Sequence, residues 1–526
     1  MTRGLDSLSP GAVGRSSVIV GAGVGGAQIV GIVRELYLAG NVGLSGELDA
    51  LLISLGLTTL VSGLITGGAS GALVPIYLQA RVTNGMEDAR RLSGTVIAWL
   101  AVAGLAISAA IALLAPVLVA VSGPGLGPAG HERAALYLRL LTPVMFVTVI
   151  TTMMRVVCQA EEKFGLIAIA TVTGPAVTLA TMLALWQPLH LDGLVVGSIL
   201  GSFATLVVLL VASARAAAMP IPRLRSDPRL VAMLRHAGPV TVSGGILEFR
   251  GIVDRAIATL LGPGSVSALR YALVLVQPLT AIGPAWSSVI YPRLVHLTLG
   301  GPEGSLAAWA DRTLRSVVAI FMPVAVLTAA VAPVAVYFAY GRGAFTQEDM
   351  SLTAASLAAY APIIVTMMML PVLVGSLNAR RQGGMLLLGG VLNVILNIVL
   401  DIVFAYWLGA PGIALATSVA EIFVVAVFIR SMGKSGDKID LRPFVRTIRQ
   451  AVLAIAPFAA VIAVLSWTGF GTVDTLSAAL ALAAAAVVGV GGYVLLGARL
   501  GISEARQILE FVVARLPGIR ASGSHP

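Results

Sequence analysis

Asn393, Asn397 and Asp401 stand four residues apart in an otherwise apolar stretch, NVILNIVLDIVF at 393–404. On an α-helix that interval stacks them along one face. Thr417 follows just beyond the short turn Ala410-Pro411-Gly412. Carboxylate, amide, hydroxyl and main-chain oxygens gathered in this way suit a hard monovalent or divalent cation. Asp254 is a second carboxylate in apolar surroundings, and no thiol or histidine lies close by in the sequence for a softer metal. The same groups would also serve as hydrogen-bonding glue between helices, and Arg255 could neutralise Asp254 or Asp401 without an ion. Both readings stay open on the residues alone.

Other charges lie where few belong. Arg34, Arg139, Arg155, Arg250, Arg255 and Arg270 fall inside apolar runs, with Glu35, Asp49, Glu248 and Glu421. A charged side chain at the centre of a membrane span costs about 2.5–3.5 kcal/mol on insertion scales, so such groups are paired or functional. The stretch SGLITGGASGALVP at 62–75 is rich in small residues. It fits either close helix packing or a broken helix lining a cavity. There is no phosphate-cradling Gly-rich loop and no Ser/His/Asp or paired-carboxylate constellation. His131, His190 and His296 fall in loops or at span ends, and the single Cys158 excludes an intramolecular disulfide or a cysteine zinc site.

The elements that must position these groups are membrane helices. The chain has 526 residues, is 58% hydrophobic and only 11% charged, and its mean hydropathy is +0.96. A soluble protein of this length carries far more charge. About fourteen runs are long enough to cross a bilayer, from 16–38 to 475–497, including 49–79, 237–261 and 265–291. The expected class is an all-α polytopic membrane protein. The first apolar run lacks the shape of a cleavable signal.

With the N-terminus placed in the cytoplasm, only Arg133 and Arg342 of the 34 Lys and Arg fall in external loops. Six lie within spans and the rest are cytoplasmic. This bias puts both termini inside, supports an even number of spans, and accounts for the net charge of +10 without a nucleic-acid partner. Three weak echoes recur at nearly one offset: Gly31 with Gly251, Pro75 with Pro292, and Gly193 with Gly412. They suggest two parallel six-helix repeats. The expected division is an N-terminal lobe 1–214, a basic linker 215–236, a second lobe 237–433, two further helices within 434–498, and a tail 499–526. In the tail, SEARQILEFVVARL is expected to lie along the membrane surface.

The segments GIVRELYLAG, GELDALLISLGLTTLVSGLITGGASGALVPIYLQAR, GSVSALRYALVLVQPL, YPRL, YGRGAFTQEDM and LNARRQ occur in that order. They resemble the MurJ/MviN lipid II flippases of the multidrug/oligosaccharidyl-lipid/polysaccharide exporter superfamily, and the likeness covers nearly the whole chain. It implies two six-helix lobes around a cavity plus two C-terminal helices that form a lipid-facing groove. It further implies outward movement of undecaprenyl-diphosphate-linked peptidoglycan precursor across the bacterial cytoplasmic membrane by alternating access. It also implies a Na+ site on Asp254, Asn397, Asp401, the main-chain oxygen of Ile413, and Thr417.

On the substrate side the resemblance retains Arg34 and Asp49. Arg255, Arg270 and Arg381 are further candidate contacts for an anionic, lipid-linked saccharide. Several of the family's cavity arginines are replaced, at Gln28, Ser62, Gly63 and Val274, and its helix-2 Glu-Gly reads Gly67-Gly68. A diphosphate prefers arginine partners, so a different polyprenyl-linked cargo stays open. A sodium- or proton-coupled multidrug exporter and a non-transporting scaffold for envelope synthesis are the competing classes.

Overall fold

Runs of Leu, Ala, Val and Ile too long for a soluble core become helices, because a helix satisfies its own main-chain polar groups inside hydrocarbon. The computed structural model describes residues 10–215, 219–225, 227–230, 248–281, 305–380, 382–432, 441–468 and 474–515, with backbone alone at 10–17, 67–72, 305, 441 and 515. Among the described residues there is no strand. Twelve helices among them are long and apolar enough to cross a membrane. Of the fourteen expected spans, 237–261 and 265–291 run into residues outside the described set, so fourteen is not reached among the described residues.

Local chemistry explains where the helices stop. Gly43, Gly85 and Gly409 adopt φ of +65°, +86° and +67° at chain reversals, a region where a side chain is strained. Ser45 caps the helix Gly46–Asn84 by accepting from Leu48 N, and Thr346 forms a capping box with Asp349. Prolines do not stop them: Pro75, Pro116, Pro143, Pro175, Pro323, Pro371 and Pro457 all lie inside helices. In particular, Gly46–Asn84 is one continuous helix through 62–75. The broken-helix reading of that stretch is therefore corrected. Gly and Pro weaken a helix, but within hydrocarbon a break would leave main-chain groups unsatisfied.

The described chain falls into two compact units. The first is Met1–Leu38 with Ser45–Ser267, and the second is Ala39–Leu44 with Ala268–Pro526. In the first, the helices Gly46–Asn84 and Pro128–Ala160 pack along each other, and Phe164–Ala184 lies against Asp192–Arg215. That second pair touches main chain to main chain: a Cβ on Gly201 would stand 2.5 Å from Gly174 O, and Thr178 Oγ1 donates to Gly197 O at 3.1 Å. Small residues permit such approach where lipid supplies no hydrophobic drive. In the second unit, Gly383–Leu408 and Ala410–Met432 form a similar close pair, with Gly389 beneath the Phe428 ring.

Candidate ion and substrate sites

Every fourth residue of the helix Gly383–Leu408 from Gly389 to Ala405 is buried, and Asn393, Asn397 and Asp401 belong to that line. The opposite face, with Ile395, Val399, Ile402 and Val403, is exposed and apolar. The helix thus turns its polar stripe inward and shows lipid its aliphatic side. Asn397 and Asp401 are both 0% exposed.

The stripe meets Thr417 on the helix Ala410–Met432. Asn397 Nδ2 donates to Asp401 Oδ1 at 3.5 Å and to Thr417 Oγ1 at 3.3 Å, and Thr417 Oγ1 donates to Ile413 O at 3.1 Å. The structure therefore brings Asn397, Asp401, Ile413 and Thr417 together. Asn397 Oδ1 is buried and accepts no hydrogen bond. An orphaned carbonyl oxygen of this kind costs about 1–3 kcal/mol, and beside one carboxylate, a hydroxyl and a main-chain oxygen it completes an all-oxygen donor set for a hard cation. The amide nitrogen meanwhile occupies the position of positive partial charge between Asp401 and Thr417. These residues fit Na+. Among the described residues, no three His, Cys, Asp or Glu side chains cluster as a metal-binding group, so a softer or multi-carboxylate centre has no counterpart there. Asp254 is a half-buried residue of the first unit.

One turn beyond Thr417, Glu421 is buried and accepts a hydrogen bond from Thr366 Oγ1 at 2.8 Å. This pair joins Ala410–Met432 to the helix Ile363–Ala379. Its signal in the sequence was the acid alone; nothing local pointed to Thr366, 55 residues away.

In the first unit, Arg34 Nη2 pairs with the buried Glu35 Oε1 at 2.8 Å. Its Nε is buried without an acceptor, so the guanidinium keeps donor capacity for an anion. Arg255 lies against Gly56: a Cβ there would stand 1.8 Å from its Nη1. Gly56 is thus a cradle that the sequence reading missed. Its signal was a glycine seven residues after Asp49, on the same helix face.

Asp49 does something other than expected. Its carboxylate accepts from Gly264 N at 2.7 Å, Ser267 N at 2.8 Å and Ser267 Oγ at 2.5 Å. Both oxygens are committed to the open N–H groups at the start of the helix Ser265–Thr280, in the manner of a capping residue supplied from a distance. The geometry thus gives Asp49 a part in holding the start of that helix. Nearby, a cavity of about 410 Å³ is bounded by Glu47, Gly125, Gly130, Arg133 and Pro263. Arg133 pairs with Glu47 at 3.0 Å and Asp192 at 3.2 Å and stacks over Tyr137. Arg270 belongs to the second unit and is half-buried. Arg381 lies outside the described residues.

The chain is similar to known proteins over most of its length. A family model described as "Lipid II flippase MurJ" matches residues 39–512. A probable lipid II flippase MurJ of Vibrio cholerae serotype O1 is 24% identical over 441 residues, covering 80% of this chain and 83% of that protein. The probable lipid II flippase MurJ of Thermotoga maritima is 24% identical over 490 residues, covering 92% and 95%. Among solved structures, a lipid II flippase MurJ in an inward closed conformation superposes with a TM-score of 0.76 at 17% identity, covering 94% of this chain and all of that one. An inward-facing multidrug resistance MATE family transporter of the MOP superfamily gives 0.62 at 15% identity, covering 78% and 94%.

Proposed function

The chain belongs to the lipid II flippase MurJ family, and on that premise we propose that its arginines and its buried oxygen cluster carry out sodium-coupled movement of a diphosphate-linked lipid precursor. The protein is a multi-pass membrane transporter and not an enzyme. The observation that carries the reading is the family match from 39 to 512, which includes the buried oxygen cluster and Arg255 and begins just after Arg34. We place it in the bacterial cytoplasmic membrane with both termini inside, as the Lys/Arg distribution supports.

Arg34 and Arg255 are the groups we assign to the diphosphate, with Arg270 as a further candidate in the second unit. Guanidinium groups hold phosphate oxygens bidentately and stay charged in low dielectric. Glu35 fixes Arg34 without using its whole fork, and Gly56 lets Arg255 lie flat on its helix. The lipid tail stays in the bilayer, beside the helices Leu441–Thr468 and Thr475–Arg499. Asn397, Asp401, Thr417 and the Ile413 carbonyl would hold Na+, which supplies a positive charge able to offset the buried carboxylate. Asp254 is assigned to that ion by the resemblance alone. One charge crossing the full membrane potential is worth about 2.3 kcal/mol per 100 mV, a useful fraction of the ~5.5 kcal/mol that carries a two-state equilibrium from one extreme to the other.

A second cargo is favoured by a specific observation. Val274, at a position where the family's cavity carries an arginine by resemblance, is buried and apolar here, and Ser62 is a buried hydroxyl. Fewer cations suit a different polyprenyl-linked saccharide. Complementation decides: in a strain depleted of its own flippase, expression of this chain should restore growth and the Arg34→Ala variant should not. Failure of the intact, membrane-inserted chain to restore growth would remove lipid II as the cargo.

A further inference from the structure

One stretch of the first unit belongs to none of the sites described above. Residues 219–225, Met-Pro-Ile-Pro-Arg-Leu-Arg, form a non-helical strap. Two prolines deny it helix, and it lies along the helix Met86–Ser122. Ile221 N donates to Arg90 O at 3.0 Å, Arg90 Nε to Met219 O at 2.8 Å, and Trp99 Nε1 to Arg225 O at 3.2 Å. The seat is Gly94, where a Cβ would stand 2.0 Å from Ile221 O. Beyond the strap, Arg229 pairs with Asp88 at 2.7 Å and with Asp227 at 2.8 Å, which pins its far end.

The supporting helix shows where the membrane begins. Its exposed large apolar residues start at Trp99 and continue through Val102, Leu105, Leu113 and Val117 to Val121. From Met86 to Ala98, only Glu87 and Arg91 are exposed. From Trp99 to Ser122 the helix rises about 35 Å, close to the ~30 Å hydrocarbon core. Trp99, 42% exposed, thus marks the rim of the lipid belt, the depth at which Trp concentrates. By the Lys/Arg distribution this rim is the cytoplasmic one.

The hydrogen bond from Trp99 fixes Arg225 at that rim. Arg223 and Arg225 are exposed on either side of Leu224, itself 64% exposed. Two cations flanking a protruding leucine at the water–lipid boundary are complementary to a phosphate layer with acyl chains beneath it. No acid lies within 219–225 to neutralise them; the next in sequence, Asp227, is held by Arg229, as is Asp88 on the supporting helix, and Glu87 pairs with Arg91. We propose that the 219–225 strap is a docking site for anionic phospholipid of the cytoplasmic leaflet, with Arg223 and Arg225 on the head-group phosphates and Leu224 inserted among the chains.

The test uses the full chain with Cys158→Ala and Leu224→Cys, labelled with bimane at the new cysteine, in nanodiscs of phosphatidylcholine with and without phosphatidylglycerol. Emission should shift to the blue, be quenched by head-group-proximal nitroxide lipid, and respond to rising phosphatidylglycerol. Each arginine near an anionic surface is worth about 5-fold in binding. Arg223→Gln with Arg225→Gln should therefore raise the half-maximal phosphatidylglycerol content steeply, while the Lys pair keeps most of the response. Trp99 bonds the main-chain carbonyl of Arg225, so the Gln pair leaves the seat intact; slow exchange of the Ile221 amide checks this. The proposal is overturned if iodide quenches the label equally in both nanodiscs, if the Gln pair with a protected Ile221 amide responds as the parent does, or if the label is shielded only when a cytosolic protein is added.

Discussion

At the residue scale, Asn397 is the pivot of the proposed ion site. Its nitrogen reaches Asp401 Oδ1 and Thr417 Oγ1, and its buried oxygen accepts no hydrogen bond among the described residues. A site built for structure alone would have little reason to keep that orphan. Asp401→Asn removes the one carboxylate of this cluster and should weaken sodium binding at least tenfold, roughly 1.4 kcal/mol, read by radiolabelled sodium retention on the purified protein; unchanged retention would return the stripe to helix glue. Gly56→Ala should reduce transport by displacing Arg255 while leaving insertion intact. Because the two residues touch, Gly56→Ala with Arg255→Ala should be no worse than Arg255→Ala alone, and additive losses in flipping rate would separate Gly56 from Arg255. The four-residue spacing made Asn393, Asn397 and Asp401 legible in the sequence. Asp49 was legible as an acid opening a helix, which looks the same whether it awaits cargo or caps main-chain groups 215 and 218 residues away. Only the fold tells these apart.

At the element scale, apolar run length identified the helices but not their continuity. Stretch 62–75 carries the residues of a broken helix and remains helical, since inside a bundle the alternative is unsatisfied backbone. Glu421 and Thr366 tie two helices in the second unit. Glu421→Gln keeps an acceptor for the hydroxyl and should alter thermal stability little. Glu421→Ala removes that acceptor and leaves a void between the helices, with Thr366 Oγ1 keeping only its bond to Ile363 O, and should cost about 1–3 kcal/mol, measured as a fall in melting temperature; equal effects of the two variants would contradict this. The strap adds a pH dependence. The hydrogen bond from Arg229 holds the Asp227 carboxyl below its ordinary value of 3.8. A depressed folded value means that its stabilisation is complete above the ordinary carboxylate range and is lost as pH falls through the depressed value. The protection factor of the Ile221 amide should accordingly stay high at neutral and mildly acidic pH and fall only below about pH 4; a fall that begins above pH 5 would contradict the assignment. The linker's basic, proline-bearing composition was legible, whereas its seat on Gly94 and Trp99 was not, because those contacts join residues more than 120 positions apart.

At the scale of the whole molecule, the family match and the 0.76 superposition agree on a MurJ-like helical fold, and composition alone had already excluded a soluble protein. The alternation of spans and the Lys/Arg bias were legible because the bilayer imposes them on every segment. Cargo was less so, since it depends on a few arginines whose replacement changes chemistry without changing fold. The most direct measurement is translocation of fluorescent lipid II in proteoliposomes holding the purified chain, with and without a sodium gradient. Protein-dependent movement that the gradient accelerates, and that is lost in both Arg34→Ala and Asp401→Asn, is the expected result. No movement of lipid II above protein-free vesicles, from protein that exports a cationic dye in the same vesicles, would contradict it.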